Sequence, residues 1–222
     1  MIPVIGITGT SGVGKTELLI SLIKELRNRG YQVAAIKHTY HQVDIDRPGK
    51  DSHKMFQAGA RAVGLASKNQ LAAYMETDEQ QDPRDIAVKM FPRVDLVLVE
   101  GFKDAPIPRI GVLRKEVSPE TPDKKGLIAM VSDMETDPAV PGFGFDDISD
   151  IAELLEKHIN KKSPRRDVSL FVNGSRVMIK PFIKDLFLKT VSAMVGTLKG
   201  TGDARRIEIV IDKPGGPSEE ED

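Results

Sequence analysis

The chain has 222 residues, of which 40% are hydrophobic and 29% are charged, a balance typical of a folded globular protein. Its 32 Lys and Arg residues nearly cancel 33 Asp and Glu residues, so no general attraction to nucleic acid or to a membrane surface is expected. The absence of cysteine excludes disulfides, thiolate metal sites and cysteine nucleophiles and favours a cytoplasmic location. No apolar run approaches the roughly 20 residues that span a bilayer, so no membrane insertion is expected.

The N-terminal segment predicts a strand, a glycine-rich loop, a helix and a second strand. Residues 4–7 form an apolar run without alternation, which indicates a buried strand. Leucines recur at helical spacing from Leu18 to Leu26, and Gly30 follows where a helix C-cap is expected. Residues 33–36 form a second apolar strand. Two strands joined by a helix pair in parallel through a right-handed crossover.

The middle of the chain predicts a longer series of strands and helices. Residues 38–52 are polar and contain His, Asp, Pro and Gly, which predicts a long loop of the kind that often carries function. The run VDLVLVE at 94–100 is the most apolar strand and is expected at the centre of the sheet. The other predicted elements are a helix at 52–58, strands at 62–66 and 71–75 that pair as a hairpin, a helix at 83–91, strands at 110–113 and 127–131, and a helix at 148–159.

The order of these elements predicts an α/β fold with a doubly wound, mainly parallel sheet like that of P-loop NTPases over residues 1–162. The basic stretch KKSPRR at 161–166 contains proline and is typical of a linker. Residues 163–212 are expected to form a small C-terminal α+β module, and residues 213–222 a disordered acidic tail.

The C-terminal module is predicted to have a ββαβ order. Strands at 168–172 and 177–179 flank Asn173-Gly174, a dipeptide that supplies the positive φ angles of a tight hairpin turn. Pro181 begins an apolar helix, and residues 207–211 predict a third strand.

A phosphate-binding loop is the strongest signal in the sequence. GTSGVGKT matches G-x-x-x-x-G-K-[ST] in full, directly after a strand and directly before a helix. Backbone N–H groups of such a loop surround phosphate oxygens, Lys15 is expected to reach the β- and γ-phosphates, and the Thr16 hydroxyl is expected to bind Mg²⁺. The predicted nucleotide-binding residues of the loop are Gly9, Thr10, Ser11, Gly12, Val13, Gly14, Lys15 and Thr16.

An acidic residue at the end of a neighbouring apolar strand is the second requirement of such a site. Glu100 ends the strand at 94–100 and is the predicted partner of Thr16 in holding the metal. Asp95 lies at the other end of that strand, roughly 17 Å away, and is interpreted as structural.

The loop after the second strand contributes further candidates, because ligands bind at the carboxyl ends of strands in open α/β sheets. Asp46 or Asp51 could help to hold Mg²⁺ or position water, and a solvated polar loop is the alternative. His38, His41 and Asp44 could instead ligate a transition metal, although their spacing matches no common site. His53 and His158 are given no role.

The base of the nucleotide is left open by the sequence. No guanine-reading Asn-Lys-x-Asp motif occurs, and Ser67-Lys68-Asn69 lacks the aspartate that would complete one. Ser132-Asp133 follows a predicted strand and could place a carboxylate against the N1 and N2 edge of guanine.

Three stretches resemble the molybdopterin-guanine dinucleotide biosynthesis protein B family. They are GTSGVGKTELLISLIKELRNRGYQVAAIKH at 9–38, DIDRPGKDSHKMFQAGA at 44–60 and DLVLVEGFK at 95–103. The combination of IKH, PGKDS, AGA and VEGFK is far narrower than the phosphate loop alone. The resemblance covers residues 2–160, and the segment from 167 to 212 departs from the shortest family members.

The resemblance implies a cytoplasmic, homodimeric adapter that binds GTP and Mg²⁺, hydrolyses GTP weakly and assists the molybdenum cofactor guanylyltransferase, with molybdopterin or its molybdenum form as a further ligand. It implies that His38, Asp46, Lys50 and Asp51 line the nucleotide site. The candidate catalytic residues are then Lys15, Glu100 and Asp46. The C-terminal module is expected to recruit a partner, bind an intermediate or extend the dimer interface.

Two other functions use the same phosphate loop. A P-loop kinase for a small metabolite would need a second pocket and arginines that close on the transferred phosphate, and no arginine-rich lid helix is evident near Arg47 or Arg61. A nucleotide-gated binding module would use slow hydrolysis only to reset its conformation.

Overall fold

The computed structural model describes residues 2–39, 46–78, 81–117, 125–160, 168–202, 204 and 207–212. The strands are β1 (Val4–Thr8), β2 (Val33–Lys37), β3 (Ala62–Ala66), β4 (Leu71–Met75), β5 (Leu96–Glu100), β6 (Arg109–Leu113), β7 (Leu127–Ser132), β8 (Gly142–Phe143), β9 (Leu170–Val172) and β10 (Ser175–Val177). The helices are α1 (Lys15–Asn28), α2 (Asp51–Gln57), α3 (Pro83–Met90), α4 (Ile148–Asn160) and α5 (Pro181–Gly196). No helix in these ranges is long and apolar enough to cross a bilayer.

A six-stranded sheet in the order β2-β5-β1-β6-β7-β8 forms the first part of the chain. All of its pairings are parallel, so the carboxyl ends of its strands meet at one edge. The strand order reverses direction at β1, which makes the end of β1 the point where an open α/β sheet binds its ligand. The predicted doubly wound α/β fold is therefore confirmed.

The two faces of the sheet are covered by different helices. Ile5 and Ile7 of β1 are buried against Leu22 of α1 and Leu155 of α4 in one apolar cluster. Val4 belongs to a second cluster that includes Ala87 of α3, Val97 and Val99. Successive residues of a strand point to opposite faces, and burial on both faces explains why β1 and β5 are apolar without alternation.

The sheet differs from the sequence prediction most clearly at the start of β5 and at β8, while β1, β2, β6 and β7 are each one residue longer than predicted. Strand β5 begins at Leu96 rather than Val94, because Asp95 lies in a turn where its backbone N–H donates to Gln32 O at 2.7 Å. The Asp95 carboxylate accepts the Gln32 N–H at 2.9 Å, which agrees with its structural interpretation. Strand β8 was not predicted, because a two-residue strand is too short to show any periodicity.

Strands β3 and β4 pair as the antiparallel hairpin that the sequence predicts. Tyr74 of β4 packs edge-on against Phe56 of α2, with ring centroids 5.0 Å apart. This contact ties the hairpin to α2, which begins one residue earlier than the predicted helix at 52–58.

The chain divides into two compact units, Met1–Ser163 and Pro164–Asp222. In the second unit β9 and β10 pair around Asn173 and Gly174, which have φ values of 49° and 79°, as the Asn-Gly dipeptide predicts. The tight turn pairs Val172 with Ser175, so β10 covers 175–177 and not the predicted 177–179. The KKSPRR stretch and the acidic tail at 213–222 lie outside the described residues.

The third strand predicted at 207–211 is wrong, since these residues belong to no strand. Val210 and Ile211 are 85% and 77% exposed. Alternating isoleucines satisfy the sequence pattern of a strand, but that pattern specifies only a face, and a strand also needs a partner for its backbone.

Candidate nucleotide-binding site

The glycine-rich loop of residues 9–16 connects the end of β1 to the start of α1. Gly9, Gly12 and Gly14 have φ values of 149°, 82° and 94°, a region that side chains other than glycine rarely adopt. A Cβ on Gly9 would overlap the carbonyl oxygen of Val112. Val13 is fully buried and anchors the loop in the core. The N-cap of α1 is Gly14, which has no side chain to accept from the first N–H groups of the helix, so these groups have no capping side chain.

Lys15, Thr16 and Glu100 meet at the carboxyl edge of the sheet. Glu100 ends β5 in register with Ile7 of β1, which brings its carboxylate beside the start of α1. The Thr16 hydroxyl donates to Glu100 Oε2 at 2.9 Å, and Lys15 Nζ donates to Thr10 O at 2.6 Å. A hydroxyl and a carboxylate are hard oxygen ligands of the type that Mg²⁺ prefers. The donor set therefore fits the predicted metal role of Thr16 and Glu100.

Two further lysines strengthen the positive charge of this edge. Lys37 ends β2 in register with Glu100, and its Nζ lies 3.5 Å from Glu100 Oε1. Burial lowers the pKa of Lys15, the charges of Lys103 and Lys37 lower it further, and the Glu100 carboxylate opposes them. The ammonium groups thus outnumber the carboxylate at the place where phosphate charge would arrive. Lys37 belongs to the polar cluster after the second strand that the sequence favours as functional, but it was given no specific role, and Lys103, three residues beyond β5, was given none.

The turn after Glu100 is pressed against the end of β2. His38 N donates to Glu100 O at 2.8 Å, and the His38 ring lies 4.2 Å from the ring of Phe102. Gly101 has a φ of 100°, and a Cβ there would lie 2.9 Å from His38 Cβ. The structure therefore places His38 directly beside Glu100, and its described contacts hold the turn that orients this carboxylate.

Arg109, the first residue of β6, fixes the segment that connects Glu100 at the end of β5 to β6. Its side chain is buried, and its guanidinium donates to the carbonyl oxygens of Lys103 and Lys125. These bonds tie the segment that leaves Glu100 to the segment that enters β7. An arginine that supports backbone carbonyls carries no sequence signature, and it was not predicted.

The predicted residues Asp46, Lys50 and Asp51 lie around α2. The Tyr74 hydroxyl lies 3.1 Å from Asp46 Oδ2 and 2.9 Å from Ser52 O, and Arg47 N donates to Asp46 Oδ1 at 2.8 Å. A hydrogen bond from Ser52, helped by those from Arg47 and Tyr74, lowers the pKa of Asp46. These contacts hold Asp46 to α2 and β4.

The other two residues of this group are open to solvent. Lys50 is the N-cap of α2 and forms no side-chain cap bond. The Asp51 carboxylate, 90% exposed, pairs with Lys54 at 3.5 Å. Their roles at the nucleotide stay predictions, as does that of Asp46.

The alternative metal site at His38, His41 and Asp44 is not tested, since His41 and Asp44 lie outside the described residues. Over the part of the chain that the structure does describe, no group of three or more His, Asp or Glu side chains is arranged to hold a metal ion.

Comparison with known protein families identifies the family to which this chain belongs. The model of the MobB family, described as molybdopterin guanine dinucleotide synthesis protein B, matches residues 4–133. The chain belongs to the MobB family. The matched residues include the glycine-rich loop, Lys37, Glu100 and Lys103, so the whole site described above lies within the family region.

Named relatives support the assignment to the MobB family. A molybdopterin-guanine dinucleotide biosynthesis adapter protein of Haemophilus influenzae is 45% identical over 124 residues, which cover 55% of this chain and 69% of the relative. The Escherichia coli protein of the same name is 35% identical over 73% of this chain and 97% of its own length. About a quarter of this chain therefore has no counterpart in the E. coli MobB protein.

A solved structure confirms the fold. The crystal structure of a molybdopterin-guanine biosynthesis protein B is 31% identical to this chain, with a TM-score of 0.59, and the match covers 71% of this chain and 99% of that one. The parallel sheet thus has the fold of a solved MobB protein.

Proposed function

We propose that this MobB-family chain is a GTP-binding adapter with at most slow GTPase activity, which assists the attachment of GMP to molybdopterin. The observation that carries the proposal is the contact of Thr16 with Glu100 at the mouth of the glycine-rich loop. It joins the glycine-rich loop, our proposed phosphate site, to the pair that we propose to hold Mg²⁺, in a chain whose relatives are named as adapters of this biosynthesis.

Different residues of the site would bind different parts of the triphosphate. The N–H groups of residues 9–16 and the N-terminus of α1 would bind the phosphate oxygens. Lys15 would leave Thr10 O and move to the β- and γ-phosphates. Mg²⁺, held by Thr16 and Glu100, would neutralise phosphate charge when bound.

Slow hydrolysis agrees with the position of the candidate catalytic carboxylate. Asp46 is the residue that we propose to position water, yet it is held by Arg47, Ser52 and Tyr74. The 38–52 loop would have to rearrange on nucleotide binding before Asp46 could act, as switch segments of other nucleotide-binding proteins do. Such a site is suited to a conformational signal more than to rapid turnover.

The names of the relatives support partners that belong to the same biosynthesis. We propose that the chain acts as a homodimer with the molybdenum cofactor guanylyltransferase, and that molybdopterin or its molybdenum form is present in the complex. Nucleic acid and membranes are not proposed as partners.

A reconstituted reaction tests the adapter function. Guanylyltransferase, molybdopterin, GTP and Mg²⁺ would be incubated with wild type, Lys15→Ala or Lys24→Ala, and formation of the guanine dinucleotide would be followed. Lys24 is an exposed lysine on the same helix and serves as the matched control. Wild type and Lys24→Ala should raise the yield, and Lys15→Ala should not. Equal stimulation by all three proteins would contradict the proposal, and ATP-dependent phosphorylation of a small acceptor would indicate a kinase.

A further inference from the structure

The sheet order assigns opposite sides of the glycine-rich loop to opposite ends of a bound nucleotide. Glu100 and Lys37 lie on β5 and β2, on one side of β1. Because Lys15 and the metal pair act on the β- and γ-phosphates, this side holds the terminal phosphates. The nucleoside must then extend to the other side of β1, over the carboxyl ends of β6, β7 and β8.

A cation and an aromatic ring stand at the start of that path. Arg114 directly follows β6, and its guanidinium carbon lies 4.2 Å from the centroid of the Phe145 ring. A Cβ built on Gly14 would lie 3.6 Å from Arg114 Nη2 and 3.7 Å from Phe145 Cε1. The pair therefore adjoins the loop where the α-phosphate would leave it. Arg114 Nε, like Arg109 Nε, is buried and has no hydrogen-bond partner within the described residues, and because Arg114 adjoins the loop its Nε is available to a group bound there.

Asp133 stands one strand further along the same edge. It follows β7, which pairs with β6 at Leu113 and Ser132, and its side chain is exposed. Lys115 N donates to Asp133 Oδ1 at 2.9 Å, so the carboxylate is held over the ends of both strands. From β1 to β7 there are two strand spacings, roughly 9.5 Å, a distance that a ribose and a base can bridge.

A fixed carboxylate discriminates between purines by its acceptor oxygens. Guanine presents two adjacent donors, N1–H and the 2-amino group, whereas adenine presents an acceptor at N1. A carboxylate accepts both guanine donors and repels the lone pair of adenine N1. Asp133 Oδ2 takes part in no hydrogen bond within the described residues and can accept one of these donors.

We propose that the ends of β6, β7 and β8 form the nucleoside subsite, in which Arg114 faces the ribose and α-phosphate and Asp133 selects guanine. The inference rests on the proposed function, since it presupposes a triphosphate on the glycine-rich loop. It adds a residue that decides the base, in a chain that lacks the Asn-Lys-x-Asp motif.

The test exchanges the acceptor for an amide. The affinities of wild type, Asp133→Asn and Glu135→Gln for GTP, ITP, XTP and ATP would be measured by calorimetric titration with Mg²⁺. The side-chain amide of the Asp133→Asn variant would accept from N1–H and donate to the 2-oxo group of xanthine. GTP affinity should fall roughly ten- to hundredfold, XTP affinity should rise, and wild type should bind ITP less tightly than GTP. Glu135 is an acid of the same loop, and Glu135→Gln should behave as wild type.

A second variant separates Arg114 from Asp133. Arg114→Met should weaken binding of all four triphosphates by a similar factor without changing their order. Base preferences that are the same in Asp133→Asn as in wild type would overturn the inference while leaving GTP binding intact. Failure of wild type to bind any triphosphate would overturn the proposed function, and the subsite with it.

Discussion

Replacing Glu100 with glutamine separates its structural role from its proposed role at the metal. The carboxylate accepts from Thr16 and pairs with Lys37. A hydrogen bond to a charged group contributes about 1.5–3 kcal/mol and a neutral one about 0.5–1.5 kcal/mol, and Gln can still accept from Thr16. The Lys37 side chain is 68% exposed, so solvent screening limits its pair to about 0–1 kcal/mol. The free energy of unfolding of Glu100→Gln should therefore fall by only about 1–2 kcal/mol.

The effect on nucleotide binding should depend on magnesium. Without Mg²⁺ the Glu100 carboxylate opposes the phosphates, so Glu100→Gln should bind GTP as tightly as wild type or more tightly. With Mg²⁺ the variant lacks a charged ligand, and the gain in affinity that Mg²⁺ gives should shrink at least about tenfold, equivalent to ~1.4 kcal/mol. Calorimetric titrations with Mg²⁺ and with EDTA measure both quantities. An equal loss under the two conditions would refute the assignment of Glu100 to the metal.

Three more predictions concern the core, a titration and the second unit. Leu155→Ala empties a fully buried position between α4 and the sheet and should lower the free energy of unfolding in urea by about 2–5 kcal/mol; no measurable loss would contradict the packing. Burial, helped by the charge of Lys103, lowers the pKa of Lys15 from 10.5. The folded state therefore releases the Lys15 ammonium proton at a lower pH than the unfolded state does. The free energy of unfolding of wild type should rise as pH rises from that lowered pKa towards 10.5, the ordinary pKa of lysine. Lys15→Met should be the more stable protein at pH 7, with an advantage that shrinks over that range, and a constant difference would exclude the titration. A chain of residues 1–163 should bind GTP like the full chain, as the E. coli relative matches only 73% of this chain with 97% of its own length, and an unfolded fragment would show that the two units depend on each other.

The parts of the site that are local in sequence could be predicted. Residues 9–16 form their loop because glycine stands at each position that needs a positive φ angle, namely Gly9, Gly12 and Gly14. Glu100 could be assigned because it ends an apolar strand, and such a strand is expected next to the loop.

The parts that depend on strand order could not be predicted. Lys37 faces Glu100 only because β2 pairs with β5, and Arg114 adjoins Gly14 only because β6 pairs with β1. A list of strands does not give the order in which they pair. Asp133 was noticed from its sequence position, but the bond from Lys115 that fixes its carboxylate is visible only in the structure.

The third strand of the C-terminal module was predicted from the sequence but is not found in the structure. The isoleucines at 207, 209 and 211 gave a regular alternation, and the structure places them outside any strand. The hairpin β9–β10 was predicted more accurately because Asn173-Gly174 fixes its own turn, whereas a third strand depends on an edge supplied from elsewhere.

The most direct test of the account is a titration of wild type, Lys15→Ala and Lys24→Ala with GTP in the presence of Mg²⁺. We predict that wild type and Lys24→Ala bind with the same affinity and that Lys15→Ala shows no measurable binding, because it loses the ammonium group that we propose to contact the β- and γ-phosphates. Unchanged affinity in Lys15→Ala, with the variant correctly folded, would contradict the assignment of residues 9–16 as the phosphate site.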